Sequence, residues 1–408
     1  MPSEKSILQD LARRYAELSH HPKSIERRTR AMQINDLTPG LKPIVWLHEI
    51  PWHEMDIDGK LQCKCETEMG RRMEWHFRST LFRWEYIQAD TVVEDYFAIP
   101  KAYYGTGMGL NVNEDQLATD ENNYIVSHHY KDQLDTMDKV QALKMSKIIA
   151  QPELDQERLD FAQDILGDFL PVKLTGHYIY HAPWDEIPRF RGVTPIMYDL
   201  MDNPELLHAT MKAWTDNKLQ EMSQMEALGL FGNDTSDIHC TPPYTKDLPP
   251  DKVGLKNIWF RCMAQMFHDV SPAIFKEFEL DYLKPLAAQC GLTYYGCCEA
   301  LEQKIDLLRE IPNLRKIGVT PTTKTNVESC ARQMKGDYVY SFKPNPALVA
   351  TTTDPQLVRA EIKSAIDACA AHGCPLEIVL KDISTVGYKP GNIIDWVRVV
   401  METIESEC

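Results

Sequence analysis

The C-terminal part of the chain alternates short apolar runs with longer segments of helical period, and this rhythm constrains the fold most strongly. The pattern predicts strands at 292–296, 314–319, 337–342 and 376–380, and helices at 300–310, 327–334, 354–372 and 392–406. Successive strand–helix units require parallel strands joined by right-handed crossovers, so the sheet either closes into a barrel or stays open and doubly wound. We expect the α/β class and a TIM (β/α)8 barrel.

The first half of the chain supplies the remaining strands. Candidate strands are 44–50, 91–99, 172–180 and 257–264, with helical segments at 154–170 and 204–228 between them. Before residue 43 the chain shows apolar residues at helical spacing and then a basic run at 27–30, which is typical of a covering helix with a solvated face. We therefore predict two parts: an N-terminal helical extension over 1–42 and the barrel over 43–408.

Composition and charge exclude several classes of function. The 408 residues carry a net charge of -16, which disfavours nucleic acid because phosphate binding needs a basic footprint. No apolar run is long enough to cross a bilayer, and the first residues lack the order of a secretory signal, so a membrane protein is disfavoured and a cytoplasmic location is expected. Eleven cysteines at irregular spacing indicate reduced thiols. No glycine-rich dinucleotide loop follows any predicted strand.

Two adjacent thiols stand at the end of one predicted strand. Residues 294–299 read YYGCCE, so Cys297, Cys298 and Glu299 fall where the strand gives way to the next helix. In a barrel of this type the carboxyl ends of the strands carry the active site. Neighbouring residues of a strand point to opposite faces, so both thiols face one site only if the strand has already ended.

A second group of soft ligands follows a long predicted helix. His239 and Cys240 lie in a turn-rich segment before two prolines. Together with Cys297 and Cys298 they form a nitrogen and sulfur donor set that suits zinc. Zinc with an open position polarises a leaving heteroatom or stabilises a thiolate, and either effect promotes methyl transfer. For a lone His–Cys pair packing is the favoured interpretation, and only in combination with the thiols at the strand end does a metal site become an equal alternative.

The end of the first predicted strand carries acids, an imidazole and an indole. Glu49 and His53 are candidates for proton transfer, and Trp52 for lining a pocket that takes an aromatic or cationic methylated compound. Capping of the chain explains the same residues without a catalytic role.

Other predicted strand ends offer further candidates. Tyr178 is a candidate catalytic residue, while Tyr96 and His177 are candidates for binding the substrate. Lys381 follows the last predicted strand, where an ammonium group can bind a carboxylate. A surface salt bridge with Asp382 is the alternative interpretation of that lysine.

Several of these segments resemble the uroporphyrinogen decarboxylase superfamily, in the branch that includes corrinoid-dependent methyltransferases. The resemblance covers most of the chain from about Trp46. It depends on the following segments: 189–192 (RFRG), 199–200 (DL), 203–205 (NPE), 294–299 (YYGCCE), 343–346 (KPNP) and 380–385 (LKDIST).

The resemblance implies a TIM-type barrel that moves a methyl group from a small O-, N- or S-methylated compound to a corrinoid (cobalamin) carried by a partner protein. Relatives of this branch bind zinc through a His-x-Cys motif and a later cysteine. Here Cys297 matches the motif cysteine, Tyr295 stands at the histidine position, and no cysteine lies near 381–382. On this interpretation His239, Cys240, Cys297 and Cys298 hold the metal, with Glu299 as a substitute ligand.

Two other functions stay open. The first is a metal-free decarboxylase of a tetrapyrrole or another polycarboxylate, although the Arg-Gln-Ala-Gly-Arg-Tyr signature of true decarboxylases is absent. The second is a barrel that binds a corrinoid or small ligand without catalysis. The identity of the methyl donor and the formation of a homodimer also stay open.

Overall fold

The computed structural model describes residues 3–118, 126–235, 237–320, 325–351 and 353–408. The strands are β1 Ile44–Leu47, β2 Phe97–Pro100, β3 Tyr103–Gly105, β4 Glu114–Leu117, β5 Ser127–Tyr130, β6 Ile148–Ala150, β7 Val172–Thr175, β8 Ile179–His181, β9 Trp259–Cys262, β10 Leu292–Tyr295, β11 Leu314–Val319, β12 Val339–Phe342 and β13 Leu376–Leu380.

Helices fill most of the chain between the strands. They are α1 Glu4–Ser19, α2 Pro22–Asn35, α3 Glu68–Phe82, α4 Met137–Gln141, α5 Pro152–Leu166, α6 Pro183–Glu186, α7 Pro188–Arg191, α8 Val193–Asp202, α9 Pro204–Ala227, α10 Pro272–Phe275, α11 Asp281–Ala287, α12 Ile305–Leu308, α13 Val327–Met334, α14 Ala347–Ala350, α15 Pro355–His372 and α16 Gly391–Glu407. None of these described helices is both long and apolar enough to span a bilayer.

Seven strands form one parallel sheet in the order β1-β13-β12-β11-β10-β9-β8. β2 and β7 form a separate parallel pair, and the chain passes from β7 into β8 through only three residues. The predicted parallel α/β architecture is thereby confirmed, and it is compatible with a TIM-like barrel. The hydrogen-bonded ladders of the described strands do not close the sheet into a complete barrel. On the open side of β1, a backbone hydrogen bond runs from Asp90 N–H, in the segment before β2, to Val45 O at 3.0 Å.

Alternation along the strands separates two faces of this sheet. On β10, Tyr294 packs with Trp259 and Val379 on what we call the inner face, whereas Tyr295 packs with the helices and lies 5.8 Å from the ring of Phe275. Tyr295, the residue at the histidine position of the motif, therefore points away from the inner face.

The N-terminal helices pack against the rest of the chain, and their basic run is not a solvated face. α1 shares an apolar cluster with α3 and α5. On α2, Arg30 binds Asp90 at 2.6 Å, Arg28 binds Glu94, and Arg27 is buried. The expectation of solvated charges was wrong because the turn before β2 presents carboxylates to α2.

Candidate active site

Side chains from three strand ends and one loop converge at the carboxyl edge of the parallel sheet. His48 and Glu49 follow β1, and Lys381 and Asp382 follow β13, which is the neighbour of β1. The carboxyl ends of parallel strands share one edge, where α/β proteins place their active sites. We call the group the thiol site; its members are His48, Glu49, His239, Cys297, Cys298, Lys381 and Asp382.

The sulfur of Cys297 is the centre of the thiol site. It is fully buried, accepts a hydrogen bond from Lys381 Nζ at 2.7 Å, and lies 3.6 Å from the sulfur of Cys298. Hydrogen bonding with Cys298 lowers the pKa of Cys297 well below the usual thiol range; burial opposes this shift, whereas His239 and Lys381 reinforce it. These contacts favour the thiolate form of Cys297.

A tight turn presents this thiolate. The strand ends at Tyr295, so both cysteines lie beyond the pleat that would have separated them. Gly296 has φ 94°, and a Cβ there would lie 2.6 Å from Leu301 Cδ1, so the turn requires glycine. The carboxylate of Glu299 accepts hydrogen bonds from the N–H groups of Cys297 at 2.9 Å and Ala264 at 3.1 Å. Glu299 therefore holds the turn in place, and both of its oxygens are engaged away from the sulfurs.

Cys298 and Asp382 form a proton-carrying pair beside the thiolate. The Cys298 thiol donates to Asp382 Oδ2 at 2.6 Å, and the neighbouring Cys297 raises the pKa of Cys298. Burial, together with the adjacent Glu49 and Cys297, raises the pKa of Asp382 despite the charge of Lys381. The opposite shifts favour a protonated second thiol beside an ionised first one.

Glu49 closes the opposite side of the site. Its Oε2 accepts the N–H of Asp382 at 3.2 Å and lies 3.5 Å from Lys381 Nζ. Although burial opposes ionisation, hydrogen bonds with His48 and Asp382 and the charge of Lys381 hold the pKa of Glu49 well below its usual range. Lys381 is thus fixed between a carboxylate and a thiolate.

His239 enters from a loop that folds into the sheet's inner face. Around it, Ile238, Cys240 and Thr241 are fully buried, and Thr241 donates to Glu377 at 2.6 Å. His239 and Cys240 both adopt positive φ, 45° and 84°, which turns successive side chains to opposite sides. His239 lies close enough to Cys297 to lower the pKa of that thiol, while Cys240 Sγ lies 3.8 Å from the hydroxyl of Tyr294.

The structure brings together five of the residues predicted from sequence. They are Glu49, His239, Cys297, Cys298 and Lys381. Sequence reasoning missed His48 and gave Asp382 only the part of a salt-bridge partner for Lys381. Tyr180, whose ring lies 5.0 Å from that of His239, was not among the predicted site residues. A signal was available, because His48 and Asp382 directly adjoin predicted site residues at strand ends.

Cys240 and Tyr178 lie on the inner face, apart from the predicted ligand and catalytic set. Cys240 belongs to neither group of potential metal ligands found among the described residues. Tyr178 packs in the same inner-face cluster as Cys240, and burial raises its pKa above the usual range for a phenol. Both residues support the His239 loop instead of contacting the thiolate.

Four further predicted residues are engaged elsewhere. Trp52 stacks edge-on against Trp75 and lies under the guanidinium of Arg83, so it is a packing residue. His53 faces Glu54 at 3.6 Å. The remaining two bond to backbone carbonyls: Tyr96 OH donates to Asp234 O at 2.9 Å, and His177 Nε2 lies 2.7 Å from Lys101 O.

The donor set of the thiol site fits zinc in type and spacing. Two described groups could hold a metal, Cys297–Cys298–Asp382 and His48–Glu49–His239, with ligand atoms within 4.8 Å in each. Two thiolates on one tetrahedral zinc, each at about 2.3 Å, would be about 3.8 Å apart. The observed sulfur separation of 3.6 Å is close to that value, and His239, in the other group, is near enough to lower the pKa of Cys297.

Comparison with known proteins shows the fold alone. Neither a family model nor a curated protein sequence matches this chain. Among solved structures, a methyltransferase from Methanosarcina mazei aligns with 93% of this chain and 98% of its own, at a TM-score of 0.50 and 13% identity. The two chains therefore share an architecture over nearly their whole lengths.

Proposed function

We propose that this chain is a methyltransferase that moves a methyl group from a small O-, N- or S-methylated compound to the corrinoid of a partner protein, with zinc assistance. The observation that carries the proposal is the buried Cys297 thiolate, which contacts Lys381, Cys298 and His239 at the carboxyl edge of the sheet. Its fold is shared with a methyltransferase, which agrees with the proposal.

In the proposed reaction the bond between the methyl carbon and its heteroatom breaks, and the heteroatom keeps the electron pair. Reduced cobalt of the acceptor supplies the pair for the new bond to carbon. Cys297, Cys298 and His239, with Asp382 beside them, would hold the zinc, which when bound polarises the heteroatom as a Lewis acid.

The other residues of the thiol site would manage charge and protons. Lys381 keeps Cys297 ionised, and Glu49 holds Lys381 in position. Once Cys298 is a metal ligand its thiol proton is lost, so Asp382, whose pKa burial raises, is the candidate proton donor to the departing heteroatom. An acid there lowers the barrier because a protonated heteroatom leaves more readily.

The decarboxylase alternative receives no support from the basic residues of the sheet. A polycarboxylate requires available cations, and Lys316, Lys343 and Arg261 do lie on the inner face. Lys316 is paired with Glu377 at 2.6 Å, Lys343 bonds Tyr294 OH at 2.6 Å, and Arg261 stacks on Tyr294. These cations are used within the protein.

The test is methyl transfer from a panel of methylated donors to reduced cobalamin, followed by the absorbance of the cobalt. We expect transfer by the wild type and a loss of about 10³-fold in Cys297→Ser, which keeps the shape but not the thiolate. Cys63→Ser is the matched control, because Cys63 is exposed and outside the site. Absence of transfer with every donor, or equal rates in wild type and Cys297→Ser, contradicts the proposal.

A further inference from the structure

A cavity of about 340 Å³ lies beside β1, on the side where no ladder joins β1 to β2 among the described residues. Small-molecule sites usually begin at about 300 Å³. Its lining includes Trp46 in β1, His48 just after β1, His76 in α3, Arg83 in the π-helical turn after α3, and Tyr96. We call this cavity the side chamber.

Arg83 brings a positive charge into the side chamber. It donates to Leu47 O at 2.9 Å, and its guanidinium lies 5.0 Å from the ring centre of Trp52. Among the ion pairs of the described residues, none joins Arg83 to a carboxylate. Burial lowers the pKa of Arg83 to about 10, so the group is still cationic at neutral pH. A partly buried cation that is in no ion pair among the described residues favours an anionic ligand.

His76 adds an unsatisfied polar atom to the same wall. Its Nε2 is buried and has no hydrogen-bond partner. Burial and the nearby Arg72 lower the pKa of His76 to about 4, so the ring is neutral at pH 7 and free to donate one hydrogen bond. Buried polar groups without partners are uncommon in folded proteins, and a bound ligand would satisfy this one.

The acids of the chamber do not cancel its positive charge. Glu94 is bound by Arg28 and accepts the hydroxyl of Tyr244 at 2.6 Å. Asp237 accepts the N–H of His239 at 3.1 Å and raises the pKa of Arg83 from a distance greater than that of an ion pair. Arg83 and the more exposed Arg72 therefore outweigh the single remaining carboxylate.

We propose that the side chamber binds a small organic carboxylate, with its acid group on Arg83 and His76 and its apolar part against Trp46 and Tyr96. The cavity equals about eleven water volumes, which suits a ligand of roughly ten non-hydrogen atoms. Such a ligand contacts His48, whose ring lies 5.4 Å from that of His239, the partner of the thiolate. Identifying this carboxylate as the methyl donor rests on the proposed function; its binding does not.

The test is calorimetric titration of the purified protein with phenylacetate and with phenylacetamide. These probes have the same shape and differ in charge, and neither carries a methyl group to transfer. We expect phenylacetate to bind at least about tenfold more tightly than the amide, because only the acid pairs with Arg83. Equal affinities for the two probes, or no binding of phenylacetate to the wild type, overturn the proposal.

Variants locate the binding within the molecule. Arg83→Gln should weaken phenylacetate binding about tenfold or more, whereas Arg71→Gln, an exposed position on α3, should leave it unchanged. His76→Asn supplies a second test if Arg83→Gln does not fold, as judged by thermal melting, and should also weaken binding. Wild-type affinity in a folded Arg83→Gln or His76→Asn protein contradicts the proposal. Phenylacetate binding without any methyl transfer would refute the proposed function and still support a carboxylate site in the side chamber.

Discussion

Two buried lysines each lie beside an anion on the same sheet, yet only one of them is surrounded by groups that can react. Lys316 pairs with Glu377 at 2.6 Å, and both side chains are fully buried. Lys381 lies 2.7 Å from the sulfur of Cys297 at the strand ends. Position along the strand, more than the presence of a buried charge, therefore decides whether a lysine supports the fold or the chemistry.

In the pair of Lys316 and Glu377, the hydrogen-bonding capacity of the carboxylate is saturated by neighbouring side chains. Glu377 also accepts the hydroxyls of Thr241 and Ser341, so its hydrogen-bonding capacity is used within the protein. In the pair of Lys381 and Cys297, the sulfur has a second thiol and an imidazole beside it, and both can exchange protons or bind a metal. A saturated cluster rigidifies a core, whereas an incompletely satisfied one is available to a ligand.

Lys316→Met should produce the largest change in stability, because it leaves the Glu377 carboxylate buried without its main partner. Breaking one side of such a pair costs about 3–5 kcal/mol in the free energy of unfolding. Urea denaturation measures this loss, and the methyl-transfer rate per folded molecule should fall much less than in Lys381→Met. A loss below about 1 kcal/mol would show that the pair of Lys316 and Glu377 is not structural.

Lys381→Met should have the opposite profile. Without the ammonium group the pKa of Cys297 rises, so the sulfur takes up a proton and no buried charge is left unpaired. Glu377, which accepts several hydrogen bonds as a carboxylate, takes up a proton less readily. We expect the transfer rate to fall about 10²- to 10³-fold, with a smaller loss of stability than in Lys316→Met. If Lys381→Met unfolds as easily as Lys316→Met and retains its rate, the contrast between the two lysines fails.

Metal content should distinguish the donors of the thiol site from Cys240 on the inner face. His239→Ala and Cys298→Ala remove donors of the thiol site and should lower bound zinc, measured by elemental analysis, about tenfold or more. Cys240→Ala changes a sulfur that lies against Tyr294 on the inner face and should retain the metal. Unchanged zinc in both His239→Ala and Cys298→Ala, or its loss in Cys240→Ala, would overturn the ligand assignment.

Periodicity predicted most strands of the parallel sheet, since a buried strand such as Ile44–Leu47 is an uninterrupted apolar run, although the strand expected over 172–180 is divided into β7 and β8. It predicted irregular segments less well: the helix expected over 300–310 is a 3-10 turn followed by Ile305–Leu308, because Glu299 and Lys304 bond to backbone atoms of neighbouring segments. The short antiparallel pairs between β3 and β6 and between β4 and β5 had no predicted counterpart.

The candidate site was predicted in part for a comparable reason. Strand ends identify which residues meet at the edge of the sheet, so Cys297, Lys381 and Glu49 were found. The opposite directions of His239 and Cys240 depend on two positive φ angles, which residue type does not reveal. Which carboxylate approaches Cys298 depends on the adjacency of β13 and β1, a property of the whole sheet.

The pH dependence of stability gives the smallest predicted effect. The folded pKa of Cys297 lies well below its ordinary value of 9.0, so the ionised thiol stabilises the folded state fully above pH 9. That contribution is lost as the pH falls through the folded pKa, with a slope of at most about 1.4 kcal/mol per pH unit. The unfolding free energy of wild type minus that of Cys297→Ser should therefore increase with pH over this window, as measured by urea denaturation. The serine does not ionise in this pH range. If the unfolding free energies of wild type and Cys297→Ser run parallel with pH, Cys297 is an ordinary thiol and the contrast between Lys381 and Lys316 fails.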